Sequence, residues 1–454
     1  MLDRVRRAGT TAALGVALCG ALAGGAAAQS PGLDTLARAE LDTAAARYLR
    51  AAARLDPAGG YPRYVGQGAS ESAGAPGRGP EAQGEGAWQL SSLGEWTSGF
   101  FPGMLWQLYA YERSQATGAA GHTRGKAARR GVTPLPVLPD SLRTEAERWT
   151  APLPGIFRTQ YNHDLGFQFF TSDGVAYGLT GEKRYRATAL EAARLLAGRF
   201  NPAVGAIKSW DWPQADRPFP VIVDNMMNLE LLFWGAKHGG APGWRALALR
   251  HARTTIANHV RPDGGSFHVV VFDPETGRVR RRITHQGYAD STTWARGQAW
   301  LVHGFTMAYR ETHETDMLRT ARRVADYFVA HVPPDGVPCW DFQAPGCPGG
   351  PELRDAAAAA IAASGLLELA RYVGDADAAR YRAAATTTLT TLLSPTYLAG
   401  TGSDALLLHA TGNRPGKSEI DVAIIYGDYY FVQALRRWLE WRAPGGATAA
   451  DALR

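Results

Sequence analysis

Helical hydrophobic periodicity, recurring along nearly the whole chain, most constrains what it can fold into. Apolar residues return at three- and four-residue spacing over roughly 34–56, 98–115, 138–149, 163–180, 183–199, 221–239, 243–259, 291–310, 315–333, 352–372, 376–394 and 422–441. These segments form successive pairs, and within several pairs one member is markedly more apolar. The 221–239 segment carries Met226, Met227, Leu229, Leu231, Leu232, Phe233 and Trp234, so it belongs inside. Its successor carries Arg245, Arg250, His251 and Arg253 and belongs at the surface. Segments 352–372 and 376–394 repeat the contrast: the first is rich in Ala, Ile and Leu, the second has Asp377, Arg380 and Arg382. Two concentric rings satisfy the alternation. The expected fold is all-α, an (α/α)6 barrel of six helical hairpins, with functional loops at one end of the inner ring. One small β-hairpin, 266–272 and 278–284 around the turn Asp273 to Gly277, interrupts the pattern.

The N-terminus reads as a secretory signal. Arg4, Arg6 and Arg7 precede an Ala/Leu/Gly-rich run from about Thr11 to Gly25, and Ala26, Ala27 and Ala28 offer a cleavage site. The expectation is a signal over 1–28, a single catalytic domain over 29–454, and a periplasmic or secreted protein. The apolar run is too short and too rich in small residues for a membrane span. Leu18 before Cys19 is too bulky for a lipoprotein site.

The net charge of +6 falls to +4 without residues 1–28, which hold three Arg and one Asp. The remaining Lys and Arg are dispersed, apart from a cluster between Arg124 and Arg130, so no nucleic-acid partner is expected. Cys339 and Cys347 share a Pro/Gly-rich loop, and an exported protein could bridge them; spacing alone leaves the bond open. No His-Glu-x-x-His and no second Cys/His pair at ligand spacing occur, so no metal is expected. The glycines between Ala58 and Gly86 belong to a long loop, with no strand–turn–helix frame for a dinucleotide fingerprint.

Two aspartates stand in apolar settings: Asp164 before Leu165, Gly166 and Phe167, and Asp224 after Val221, Ile222 and Val223. Burying a carboxylate is costly unless it is paired or protonated. A lone Asp of this kind is most often a helix cap or a satisfied core group. Two that converge can have separated pKa values, which is how acid/base chemistry on sugars is done. For Asp224, burial beside Met227 would raise the pKa and a helix N-terminus would lower it. A nearby ionised Asp164 would tip the balance upward. Trp294, Arg296 and Trp300 open the 291–310 helix, and Arg296 could grip a ligand carboxylate in two parallel hydrogen bonds or sit in a structural ion pair. His268 and Gln286 flank the hairpin and could meet sugar hydroxyls. Trp96 and Trp210 could stack on a sugar ring.

These stretches occur in a recognisable order: residues 96–103, 163–167, 223–229, 261–268, 272–277, 285–300 and 425–431. The set resembles the unsaturated glucuronyl hydrolases, glycoside hydrolase family 88, over roughly residues 88–441. The resemblance implies an (α/α)6 barrel acting on lyase-generated oligosaccharides with a Δ4,5-unsaturated uronic acid at the non-reducing end. It implies Asp224 as general acid/base and Asp164 as second carboxylate, orienting the ring and raising the pKa of Asp224. It places His163, His268, Gln286, Trp294, Arg296, Trp300, Trp96 and Trp210 at the sugar, and it needs no metal or organic cofactor. The expected partner is a small-molecule oligosaccharide, handled by a monomer without a membrane span. The chain departs from the pattern at Asn225, where a Cys often follows the Asp, in the 417–421 loop, and in an inserted 117–137 loop. Two other readings use some of the same residues: an unsaturated rhamnogalacturonyl hydrolase of the related barrel family, against which His163-Asp164 argues, and a non-catalytic periplasmic binder of acidic sugars. An inverting glycosidase would also use two carboxylates.

Overall fold

The periodic segments become helices close to the expected bounds in a computed structural model, which describes residues 32–66, 86–117, 137–159, 161–347 and 353–442. The α-helices are α1 Leu33–Arg54, α2 Phe100–Thr117, α3 Pro139–Thr150, α4 Val175–Thr180, α5 Lys183–Ala197, α6 Asn225–Lys237, α7 Gly243–Asn258, α8 Ala295–Thr312, α9 Thr315–His331, α10 Ala356–Leu369, α11 Asp375–Leu392 and α12 Ile425–Arg442. A π-helical segment, Gly166–Gly174, leads into α4.

The even-numbered helices form the inner ring. Helix α2 packs on the π-helical segment, that segment on α6, α6 on α8, α8 on α10, α10 on α12, and α12 returns to α2. The odd-numbered helices lie outside, each against its inner neighbours. Sequence explains the division. Helix α10 is buried along its whole length, and α6 from Asn225 to Leu229 and again from Leu231 to Gly235. Helix α9 buries only Met317, Thr320, Ala321, Val324, Ala325, Tyr327 and Phe328, one stripe of a surface helix. The (α/α)6 architecture is therefore the one expected.

The 163–180 segment is not plain α-helix. The hydroxyls of Thr171 and Ser172 donate to the carbonyls four residues back, those of Phe167 and Gln168. They compete with the backbone for acceptors an α-helix would use, and the ladder slips to a wider turn. Gly166, at the start of this segment, lets it lie directly on α6. A Cβ there would stand 2.4 Å from the Asn228 Cα. Gly166→Ala is expected to cost about 1–3 kcal/mol, as overpacking does; a urea midpoint equal to wild type would contradict this.

The strands are β1 Tyr61–Val65, β2 Gln89–Ser91, β3 Phe200–Asn201, β4 Ala206–Ile207, β5 Phe219–Ile222, β6 Val269–Phe272, β7 Val279–Ile283 and β8 Ala423–Ile424. They form small sheets in the orders β2-β1-β8, β3-β4 and β5-β6-β7. The third sheet corrects one boundary. The helix expected from 221 starts at Asn225, because Val221 and Ile222, β-branched and following Pro220, pair as strand with β6, Ile222 opposite Val269. The expected hairpin thus gains a third strand that ends two residues before the catalytic candidate Asp224. Cys339 and Cys347 are disulfide-bonded, with Cα atoms 6.2 Å apart. The expected signal over 1–28 lies outside the described residues, as do residues 118–136 of the inserted loop and 67–85 of the long glycine-rich loop.

Candidate active site

The candidate residues gather where the inner helices begin. Trp96 precedes α2, Asp164 precedes the π-helical segment, Asp224 caps α6, Trp294 caps α8, Asp355 caps α10, and Tyr426 lies in the first turn of α12. Helix N-termini carry partial positive charge, so this end of the barrel favours anions.

Asp224 and Asp164 are 8 % and 6 % exposed, and Asp224 Oδ2 is buried without a hydrogen-bond partner. Burial pushes the Asp224 carboxyl up to about 7, against the opposing charge of Arg296 and the Trp300 indole. Burial also raises Asp164, to about 8, and the nearby Asp224 charge adds to the rise while Asn228 opposes it. The physical cause differs in one respect from the expectation. Burial dominates at Asp224, and mutual repulsion is felt mainly at Asp164. Either way the pair holds at least one proton near neutral pH, as a proton donor requires.

His268 reaches Asp224 with Nε2 3.8 Å from Oδ2. Its tautomer is fixed from behind. Backbone N–H groups of His285 and Gln286 both donate to Nδ1 at 3.3 Å. The neutral ring therefore carries its proton on Nε2, facing the carboxylate and the site. The ring stacks on Trp294 with centroids 4.4 Å apart. His163 Nε2 lies 3.4 Å from Asp164 Oδ1. Burial drives the His163 pKa down to about 3, so that ring is neutral.

Trp210 makes an edge contact with His163, with centroids at 6.0 Å, and lies against Trp212 at 4.7 Å and His285 at 5.2 Å. Trp96 packs on Tyr426 and Phe167 at 5.0 and 5.4 Å, and it keeps partial exposure. Gln286 donates to the Gly412 carbonyl at 3.0 Å, tying the hairpin end to the loop before α12. Trp300 is fully buried, and its indole N–H has no protein acceptor at hydrogen-bond geometry. Arg296 is 1 % exposed and occupied: it donates to Asp355 Oδ2 at 2.5 Å, to the Thr411 carbonyl at 2.6 Å and to the Gly412 carbonyl. Its guanidinium lies 4.5 Å from the Trp294 ring centroid and 5.3 Å from that of Tyr426. Of the two roles open in the sequence, this geometry supplies the ion pair and an electrostatic influence on Asp224.

Several residues of the site escaped the sequence reading. Asn228 accepts the Phe167 N–H on Oδ1 at 2.8 Å, which turns its amide NH2 toward Asp164. Asn225, noted in the sequence only as a departure from the family pattern, donates to the Ile207 carbonyl at 3.1 Å and bears on His163. Asn228 lies four residues after Asp224, one helical turn along the same face, and that spacing was the available signal. Asp355, just ahead of an alanine run, carried an N-cap signal.

No protein-family model matches the chain. It is 39% identical over 349 residues to an unsaturated glucuronyl hydrolase of Formosa agariphila, covering 76% of this chain and 80% of the relative. It is 35% identical over 361 residues to an unsaturated glucuronyl hydrolase of a Bacillus species, covering 78% and 89%. The crystal structure of an unsaturated glucuronyl hydrolase specific for heparin superposes with a TM-score of 0.77 at 36% identity, covering 92% of this chain and all of that one. The chain is a glycosidase belonging to the unsaturated glucuronyl hydrolases, glycoside hydrolase family 88.

Proposed function

We propose that this enzyme removes a Δ4,5-unsaturated uronic acid from the non-reducing end of glycosaminoglycan-type lyase products by hydrating the C4=C5 bond. The observation that carries the reading is the pair of buried carboxyls, Asp224 and Asp164, at the mouth of the barrel, where burial raises both pKa values and favours retention of a proton. The enol ether needs only a proton at C4 and a water oxygen at C5. Asp224 donates the proton to C4, and its carboxylate then takes a proton from the water that attacks C5. The resulting hemiketal opens to a C5 ketone, and the hemiacetal left at C1 releases the remaining sugar as an alcohol. Asp164 orients the ring, and His268, with its Nε2 proton facing Asp224, supplies a hydrogen bond to the reacting sugar or to the carboxylate. Trp96 and Trp210 border the ring. The reading needs no metal and no organic cofactor.

A panel of unsaturated uronyl disaccharides tests it. Absorbance of the conjugated double bond should vanish with at least one of them, while saturated analogues stay intact. Cleavage of saturated glycosides alone would point to an ordinary glycosidase instead.

The pH profile follows from the raised carboxyls. The donor must be protonated, so kcat/KM should fall as pH rises through about 7 to 8. A profile still rising at pH 9 would contradict the assignment. Export to the periplasm or medium is part of the proposal, supported by the leader-like N-terminus and the Cys339–Cys347 bond. Action as a monomer is also proposed.

A further inference from the structure

An aromatic and cationic track leaves the catalytic pair along one face of the β5-β6-β7 sheet. Ile222, Val269, Val271 and Ile283 form that face, and Trp210 and Trp212 pack against it. From His268 the rings continue to His285, with centroids 6.5 Å apart, and from His285 to Trp212 at 5.8 Å. Arg217 closes the series, its guanidinium 4.8 Å from the Trp212 ring centroid.

The charges along this track are unequal. Arg199 and Lys208 are both held by Asp211 at 2.9 Å, and Arg281 is held by Asp216 at 2.6 Å. Arg217 has no carboxylate partner among the described residues, and its buried Nε lacks any hydrogen-bond acceptor. An arginine seated on an indole, with no side-chain hydrogen bond among the described residues, is pre-organised for an oxyanion at its outer guanidinium nitrogens, because the planar fork loses little freedom on binding one.

We infer that Arg217, seated on Trp212, binds an anionic substituent, sulfate or carboxylate, on the saccharide beyond the departing uronate and so sets substrate preference. This rests on the functional reading above. Arg217 contributes ground-state binding of the leaving saccharide and takes no part in proton transfer.

Binding to the Asp224→Asn enzyme, read by calorimetry, tests it apart from turnover. Three ligands are compared: an unsaturated uronyl–hexosamine disaccharide, the same disaccharide sulfated on the hexosamine, and an unsulfated tetrasaccharide whose third ring carries a carboxylate. Adding Arg217→Ala should lower the preference for an anionic ligand over the plain disaccharide by about tenfold, the scale of one charge-assisted hydrogen bond. Loss confined to the sulfated disaccharide identifies sulfate, and loss confined to the tetrasaccharide identifies carboxylate. Arg217→Lys should recover part of the preference, keeping the charge without the planar fork. Equal weakening of all three ligands, no weakening, or no binding of any ligand before Arg217 is changed would overturn the inference. Absorbance loss with the wild-type enzyme, run alongside, judges the functional reading separately.

Discussion

Asp224→Asn is expected to lower kcat by about 10²- to 10⁴-fold, the usual contribution of a positioned acid/base, with substrate binding retained. The amide is nearly isosteric and sits at the same cap of α6, so the fold should persist. What disappears is the only proton that the proposed route can deliver to C4. Asp164→Asn should cost less, because Asp164 orients the ring without donating. The pair is coupled, so that variant should also move the alkaline limb of kcat/KM. An Asp224→Asn enzyme retaining a tenth or more of wild-type kcat would remove Asp224 from the donor role.

Arg296→Met is expected to destabilise the protein by about 3–5 kcal/mol, the cost of breaking a buried ion pair from one side. Asp355 has no exposed surface, and among the described residues it would keep only the Ala358 N–H of α10 as a donor to its charge. The carbonyls of Thr411 and Gly412 would lose a donor as well. Adding Asp355→Asn should restore part of the loss, which a double-mutant cycle in urea can measure. A second readout separates this role from plain packing. Arg296 favours the ionised form of Asp224, so its removal should raise the Asp224 pKa and move the alkaline limb of kcat/KM to higher pH. A variant as stable as wild type, with only KM raised, would instead make Arg296 a direct ligand contact.

The sequence reading succeeded where a pattern had one physical solution. Alternating apolar and polar helices, as in 221–239 and 243–259, have few arrangements other than an inner and an outer ring, and the rings are there. It named His268, Asp224, His163 and Asp164 as separate site candidates, and the structure places His268 near Asp224 and His163 near Asp164. It failed where local and tertiary preferences competed. Val221 and Ile222 look like the start of a buried helix until β6 offers them a partner. Thr171 and Ser172 gave no warning that their hydroxyls would take carbonyls from the helix ladder. Asn228 and Asp355 were hidden for another reason: their work is to satisfy other site residues, and such partnerships are written in three dimensions only. Arg296 shows the same limit, since the sequence left two roles open and the partner that decides between them, Asp355, lies 59 residues away.

The central claim is that the double bond is hydrated before the glycosidic bond breaks. One stopped-flow measurement addresses it, following the C4=C5 absorbance and the released leaving saccharide together in a single turnover. The account predicts that absorbance falls no later than the saccharide appears, and that both signals vanish with Asp224→Asn. Release of the saccharide while the absorbance persists would contradict it.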